Sequence, residues 1–240
     1  MRSGRLRAAF LAVVFLSCSR GRTETGNGAP GVPEAGALRP EPVLRVVDKP
    51  IRFTALRRDL TLDYIRRHYD PRAADIAIQP RMIVIHWTGS GTLASAYATL
   101  NPEELPLWRP EIRKGGRLNV SAHFLVDRDG TIYRLMPENW MARHTIGLNM
   151  SALGVENVGG PSTPLTEAQL DANTALVRLL VAAHPGIRYL IGHHEYLRFR
   201  DSPLWRESDL SYSTGKIDPG DGFIKALRSR VADLKLKGQP

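Results

Sequence analysis

The sequence predicts an α/β fold, a mixed central β-sheet flanked by helices in a single domain. Short apolar runs of strand length are interleaved with amphipathic runs of helix length, the signature of a sheet with helices on its faces. An Asp-Gly turn signal between two alternating runs places an antiparallel hairpin inside that series. The chain has 240 residues, 42% of them hydrophobic. It is long enough for one substantial domain with additions, or for two small ones, and it shows no internal repeat.

Residues 1–18 have the layout of a secretory signal peptide. Arg2, Arg5 and Arg7 precede an apolar run from Ala8 to Leu16, and Ser17-Cys18 follows. The run falls short of the roughly 20 apolar residues that a spanning helix needs. Phe15-Leu16-Ser17-Cys18 resembles a bacterial lipobox, with Phe15 where Leu is usual, so Cys18 is expected to carry lipid and hold the exported protein to a membrane facing the periplasm or cell envelope. An ordinary signal peptide, or a buried helix with a core Cys, are the alternatives. Cys18 is the one cysteine of the chain, so no intrachain disulfide and no Cys-based metal site can form. Residues 19–42, rich in Gly and Pro with few aliphatic side chains, read as a flexible tether. Residues 43–76 read as an N-terminal extension packed on the main domain, with an apolar stretch from Val43 to Val47 and a helix from Leu60 to His68 that stops before Pro71. Leu62, Ile65 and Tyr69 supply the apolar spacing of that helix.

The main domain is expected over 77–238. Met82-Ile83-Val84-Ile85, between Pro80 and Gly89, is a short apolar run that reads as a buried central strand and delivers His86 at its end. Thr92 caps a helix to Leu100, ended by Asn101-Pro102. A loop punctuated by Pro106, Pro110 and Gly115-Gly116 leads to the hairpin, Ser121–Val126 and Thr131–Met136 around Asp127-Arg128-Asp129-Gly130. The loop from Trp140 to Met150 contains His144 and Asn149, and Ala152–Glu156 forms the next strand. The longest helix runs from Thr166 to His184, with Leu170, Leu176, Val177, Leu180 and Val181 on its apolar face and Pro185-Gly186 as its stop. Ile187–Gly192 is a strand that ends at His193-His194. A polar loop reaches Asp218-Pro219-Gly220, and a basic amphipathic helix from Phe223 to Leu236 closes the chain, its Lys and Arg forming a solvated face.

Net charge is +9, spread along the chain. That favours anionic partners such as cell-wall polymer or a membrane surface. Nucleic acid is set aside, because the chain has no Walker loop, zinc-finger spacing or aromatic RNA-binding signature.

Three stretches end or begin at residues able to bind a metal: IVIHWTG at His86, YLIGHHE at His193 and KIDPG at Asp218. A hydrolytic zinc wants about three His or carboxylate ligands and one open position, and two strand-end His with an Asp held at a Pro-Gly corner supply that set. Taken singly, each has a plain structural alternative: a hydrogen-bonded strand-end His, or a turn Asp. Glu156 ends an otherwise apolar strand, where a carboxylate is costly unless it faces a cleft or a cation, the setting that tunes a general base toward neutral pH. Its alternative is a salt-bridged edge Glu. Lys216, two residues before Asp218, is either an oxyanion-stabilising ammonium or a solvent lysine.

The ordered series IVIHWTG, SAHFLVDRDGTIYRLMP, ARHTIGLNMSALGVENVGG, YLIGHHE and KIDPG resembles the zinc-dependent N-acetylmuramoyl-L-alanine amidases of the type-2 amidase family, which takes in AmpD-like enzymes, phage T7-lysozyme-type amidases and animal peptidoglycan recognition proteins. The resemblance covers about 77–223. It implies a mixed sheet flanked by helices, Zn2+ on His86, His193 and Asp218, catalytic roles for Glu156 and Lys216, and substrate-lining roles for His144 and Asn149, with His123 supporting the sheet. The implied reaction is hydrolysis of the amide between N-acetylmuramic acid and L-alanine in peptidoglycan or its muropeptide fragments. Binding of peptidoglycan without catalysis is the alternative function. Three departures stand out. His194 follows His193, leaving the second ligand to be chosen between them, with the family pattern Gly-His-x-Asp/Glu favouring His193 and placing Glu195 at the acidic position. A longer polar stretch including Arg198–Trp205 replaces a short Pro-Gly-Arg-Lys run, and Arg143 stands where the family has Trp before its loop His.

Overall fold

The computed structural model describes residues 44–89 and 91–240. Cys18 and the segments expected to be a signal peptide and a tether lie outside the described residues. Six strands form one mixed sheet: β1 (Val46–Asp48), β2 (Met82–Ile85), β3 (Phe124–Val126), β4 (Ile132–Arg134), β5 (Ala152–Asn157) and β6 (Tyr189–Gly192). Their order is β1-β4-β3-β5-β2-β6. The β3–β4 pair is antiparallel, and the other pairs are parallel. Five helices accompany them: α1 (Ala55–His68), α2 (Leu93–Leu100), the short α3 (Pro110–Arg113), α4 (Glu167–Ala183) and α5 (Asp221–Arg230). Among the described residues no helix is long and apolar enough to cross a membrane.

All four residues of β2 are fully buried, as a central strand covered on both faces requires. Side chains alternate between those faces. Ile83 and Ile85 join the larger core with Leu153, Val155, Leu190 and the α4 residues Leu176, Val177 and Leu180. Met82 and Val84 join a separate cluster with Ala152, Ile191, Tyr196 and Phe199. Thr166 caps α4 reciprocally with Gln169, each side chain accepting from the other's backbone N–H at 3.1 and 2.9 Å. Gln169 then reaches the sheet, donating to the carbonyls of Val126 and Val158. In the hairpin, Gly130 takes φ +85°, the left-handed conformation that favours glycine.

Residues 44–76 do more than pack on the domain. β1 pairs with β4 as an edge strand of the same sheet, and α1 places Leu60, Tyr64 and Ile65 in the main core. α1 starts at Ala55, five residues before the expected Leu60, because Thr54 caps it and accepts from the Leu56 N–H. The extra turn carries Arg57, fully buried, which donates to the carbonyls of Leu100 and Asn101 and so satisfies the end of α2. At the other end, α5 stops at Arg230 and a 3-10 turn covers Ala232–Leu234. Its basic residues are not a purely solvated face. Arg228 binds the buried Glu195 and the Leu190 carbonyl, and Arg230 pairs with Glu167 and Asp171 of α4. The expected loop after β6 begins with a seven-residue 3-10 helix, His193–Phe199.

Candidate active site

β5, β2 and β6 are adjacent and parallel, so their C-terminal ends emerge together, where open α/β sheets carry their sites. Ile85 is registered with Val155 on one side and Gly192 on the other. The next residues, His86, Glu156 and His193, therefore meet at the same level. Alternation puts all three on the face of Met82, Val84 and Ile191. The cleft there, about 370 Å³, is lined by His86, Glu156, His193, Lys216, Asp218 and Arg109 among others.

His86 Nδ1 lies 2.9 Å from His193 Nδ1 and 3.2 Å from Asp218 Oδ2, and His193 Nδ1 is 3.0 Å from that same oxygen. The three ligand atoms fit within 4.8 Å of one another. Tetrahedral ligands at about 2.0–2.1 Å from zinc are about 3.3 Å apart, so this triangle is close to that of three zinc ligands before any adjustment. The hydrogen bonds behind it point the same way. His144 Nε2 faces the Ala152 carbonyl at 3.3 Å and must donate, leaving Nδ1 as an acceptor. That acceptor faces His86 Nε2 at 3.0 Å, so His86 carries its proton on Nε2 and turns a lone pair on Nδ1 toward His193 and Asp218. Two His nitrogens and one carboxylate oxygen, one of the His held by an outer partner, are a donor set that suits zinc.

The backbone of His86 is fixed as firmly as its ring. Asn157 Nδ2 donates to the His86 carbonyl at 3.0 Å, and Asn173 of α4 donates to Asn157 at 2.7 Å. The His144 ring in turn lies over Gly154, where a Cβ would come within 2.7 Å of its Cγ. His194 points away from the triangle: both its backbone N–H and its Nδ1 meet the Asp218 carbonyl, at 3.0 and 2.9 Å. It steadies the loop carrying Asp218, while His193 faces the other two donors.

Charge balance in the cleft follows burial and neighbours. Burial pushes the Glu156 carboxyl up to about 7, against the pull of His86, and the Asp218 charge adds to the rise. Its Oε2 is buried without a hydrogen-bond partner. Burial also acts to raise Asp218, but the adjoining His193 and His86 rings outweigh it and hold this carboxyl well below its ordinary range. Burial, then the His86 ring, lowers His193 to about 4, so it is neutral at pH 7, as a metal ligand must be. Burial and His86 keep His144 neutral as well.

The structure brings His86, His193, Asp218, Glu156 and Lys216 to one cleft. His144 lines it too, but both ring nitrogens are engaged, so it acts on His86. Asn149 does not line this cleft but borders a small recess beside it. It is fully buried; Oδ1 accepts from the His144 and Thr145 N–H groups at 3.0 and 2.7 Å, and Nδ2 donates to Tyr69. It shapes the His144 loop from behind. His123 spans β5 and the Trp140 carbonyl inside the domain, and burial lowers it to about 4. Sequence reading passed over Arg109, which lines the cleft from an irregular loop with no periodicity to mark it.

Residues 77–221 match the family described as N-acetylmuramoyl-L-alanine amidase. The chain belongs to this family. Among curated relatives, the 1,6-anhydro-N-acetylmuramyl-L-alanine amidase AmpD of Salmonella typhimurium (strain LT2) is 30% identical over 136 residues, 50% of this chain and 70% of that one. AmpD of Escherichia coli (strain K12) is 30% identical over 174 residues, 65% and 83% of the two chains. The endolysin of Escherichia phage T7 is 33% identical over 98 residues, 38% and 62%. The matched amidase segment begins at residue 77, so β1 and α1 lie before it, although Tyr69, which caps the C-terminal end of α1, accepts from Asn149 under the site.

Proposed function

We propose that this chain is a zinc amidase that hydrolyses the amide joining the lactyl group of N-acetylmuramic acid to the first L-alanine of the stem peptide, in peptidoglycan or its muropeptide fragments. The observation that carries the reading is the convergence of His86 Nδ1, His193 Nδ1 and an Asp218 oxygen beside a carboxyl group whose pKa burial has raised to about 7. Zinc held by those three residues would polarise the scissile carbonyl and acidify water. Glu156 takes the proton from the attacking water and returns it to the leaving amine, a task suited to a group poised near neutrality. Lys216 sets its ammonium where the amide oxygen gains negative charge. His144 holds the His86 ring, and Asn157 holds its backbone, so neither has to reorganise as the reaction proceeds.

The N-terminal layout supports a further part of the proposal: export, lipidation at Cys18 and a tether over 19–42 that lets the domain reach the wall from a membrane facing the periplasm or cell envelope. The test of the activity is release of free stem peptide from purified muropeptides, read by product mass. The zinc-loaded protein is expected to release it, and Asp218→Ala and Glu156→Ala are expected to lose that release. Full activity in Asp218→Ala would overturn the metal assignment. Mass spectrometry of the membrane fraction tests the anchor, and a mature chain that starts beyond Cys18 without acyl groups would contradict it.

A further inference from the structure

A small recess of about 50 Å³ opens beside the cleft, sharing His144, His193 and Lys216 with it. One water needs about 10–15 Å³ on such a measure, so the recess has room for a small polar group. Its walls bring together three cations, Arg109, Arg143 and Lys216, and among the described residues no Asp or Glu lines it.

None of the three forms a tight ion pair, although Glu156 in the shared cleft acts electrostatically on Arg109 and Lys216. Arg143 is buried and spends its donors on neutral oxygens: the carbonyls of Gly116, Leu118 and Ile112, and the Tyr212 hydroxyl at 3.0 Å. It also lies over the Tyr64 ring, 4.7 Å from the centroid. A buried guanidinium with no carboxylate is costly unless something negative approaches it. The ion pair of Arg109 is a loose 3.9 Å contact to Glu111, whose side chain is 58% exposed. Lys216 has no ion pair among the described residues. Thr214 also lines the recess, and its Oγ1 is buried without a hydrogen-bond partner. Positive field, available donors and a spare hydroxyl describe a site for one anionic group.

We infer that this recess binds a free carboxylate carried by the substrate next to the scissile amide, with Arg109 as the residue that selects for it. The inference rests on the amidase reading above and names the substrate class that reading leaves open: stem peptides whose second residue keeps its free acid, in preference to those where it is a carboxamide. Arg143 provides the fixed positive field. Arg109, at the rim with a side chain 24% exposed, can swing to meet the carboxylate, and Thr214 donates the remaining hydrogen bond. A neutral carboxamide would leave the cations uncompensated and would set an N–H group against their donors. Arg143 falls where this chain departs from the family pattern, so the preference is expected to be its own.

The test compares N-acetylmuramoyl-L-alanyl-γ-D-glutamyl-L-lysine, whose second residue keeps its α-carboxylate, with N-acetylmuramoyl-L-alanyl-D-isoglutaminyl-L-lysine, in which that group alone is a carboxamide, as substrates of the zinc-loaded protein. The acid is expected to have a kcat/KM about tenfold or more higher, as a charge-assisted hydrogen bond gives, mainly through KM. Arg109→Gln should bring the ratio close to one without changing zinc content, and Thr214→Val should lower it part of the way. Equal kcat/KM on the two compounds, or a ratio that survives in Arg109→Gln, overturns the inference and leaves the amidase reading standing. No turnover of either compound with zinc bound overturns the amidase reading and the inference with it.

Discussion

Replacing Glu156 by Gln should make the metal-free protein more stable at pH 8 and leave it nearly unchanged at pH 5. Burial raises this carboxyl from its ordinary 4.5 to about 7. A group whose folded pKa lies above its unfolded one contributes stability that is fully present below the unfolded pKa and is lost as pH rises through the folded value. The relevant window is thus about pH 4.5 to 7. At about 1.4 kcal/mol for each tenfold change in proton affinity, the rise corresponds to roughly 3 kcal/mol, and partial exposure of the side chain to the cleft reduces this to about 2 kcal/mol. Gln keeps the shape and carries no charge to desolvate. The assay is urea unfolding of chelator-treated wild type and Glu156→Gln at pH 5 and pH 8, comparing the two differences. A gain near 2 kcal/mol at pH 8 that shrinks toward zero at pH 5 fits a desolvated catalytic carboxylate. Equal differences at the two pH values would refute that reasoning. With zinc bound, the nearby positive charge draws the carboxyl down, so the acid limb of kcat/KM should fall between 4.5 and about 7.

The remaining predictions concern the parts that hold the site. His144→Ala removes the acceptor behind His86 and should weaken zinc binding about 10- to 100-fold in competition against a chelator, the usual effect of losing such an outer partner. His193→Ala should abolish one-equivalent zinc binding, whereas His194→Ala should retain it, as read by metal analysis of the dialysed proteins. Asn149→Ala leaves the His144 and Thr145 N–H groups without their acceptor and should cost about 1–3 kcal/mol in thermal or urea unfolding. No loss would mean that Asn149 does not brace this loop.

What could be read from the sequence was whatever depends on local periodicity. β2, α4 and the hairpin were expected close to where they lie, because an apolar run between Pro80 and Gly89, a Thr166 cap with a repeating apolar face, and an Asp-Gly turn each decide structure within a few residues. His86, His193 and Asp218 were visible because element ends are marked by Pro and Gly. Long-range polar partners were not visible. Arg57 began a turn of α1 that apolar spacing alone would have left out, since its role is to satisfy the end of α2, some 43 residues along the chain. Arg228 and Arg230 looked like a solvated surface, but their carboxylate partners lie on other elements. Asn149 sat in a loop near His144, and only the structure shows its side chain turned inward to backbone N–H groups. The short strand β1 pairs with β4, so its place in the sheet depends on a contact 86 residues away.

The choice of His193 over His194 has the same character. Neighbouring residues point to opposite sides of the chain; the Gly-His-x-Asp/Glu pattern favours His193, but residue spacing alone does not say which of the two faces His86. The register of β6 against β2 decides it, because Gly192 is level with Ile85 and the next residue on each strand faces the same side.

The central claim is a hydrolytic zinc site, and a zinc titration of the metal-free protein coupled to turnover tests it most directly. Muropeptide is supplied throughout, and bound zinc and released stem peptide are measured in the same samples. Release is predicted to rise in proportion to bound zinc and to level off at one equivalent per chain, with Asp218→Ala neither binding the metal nor releasing peptide. Release at full rate without zinc, or one equivalent of zinc bound with no peptide released, would contradict it.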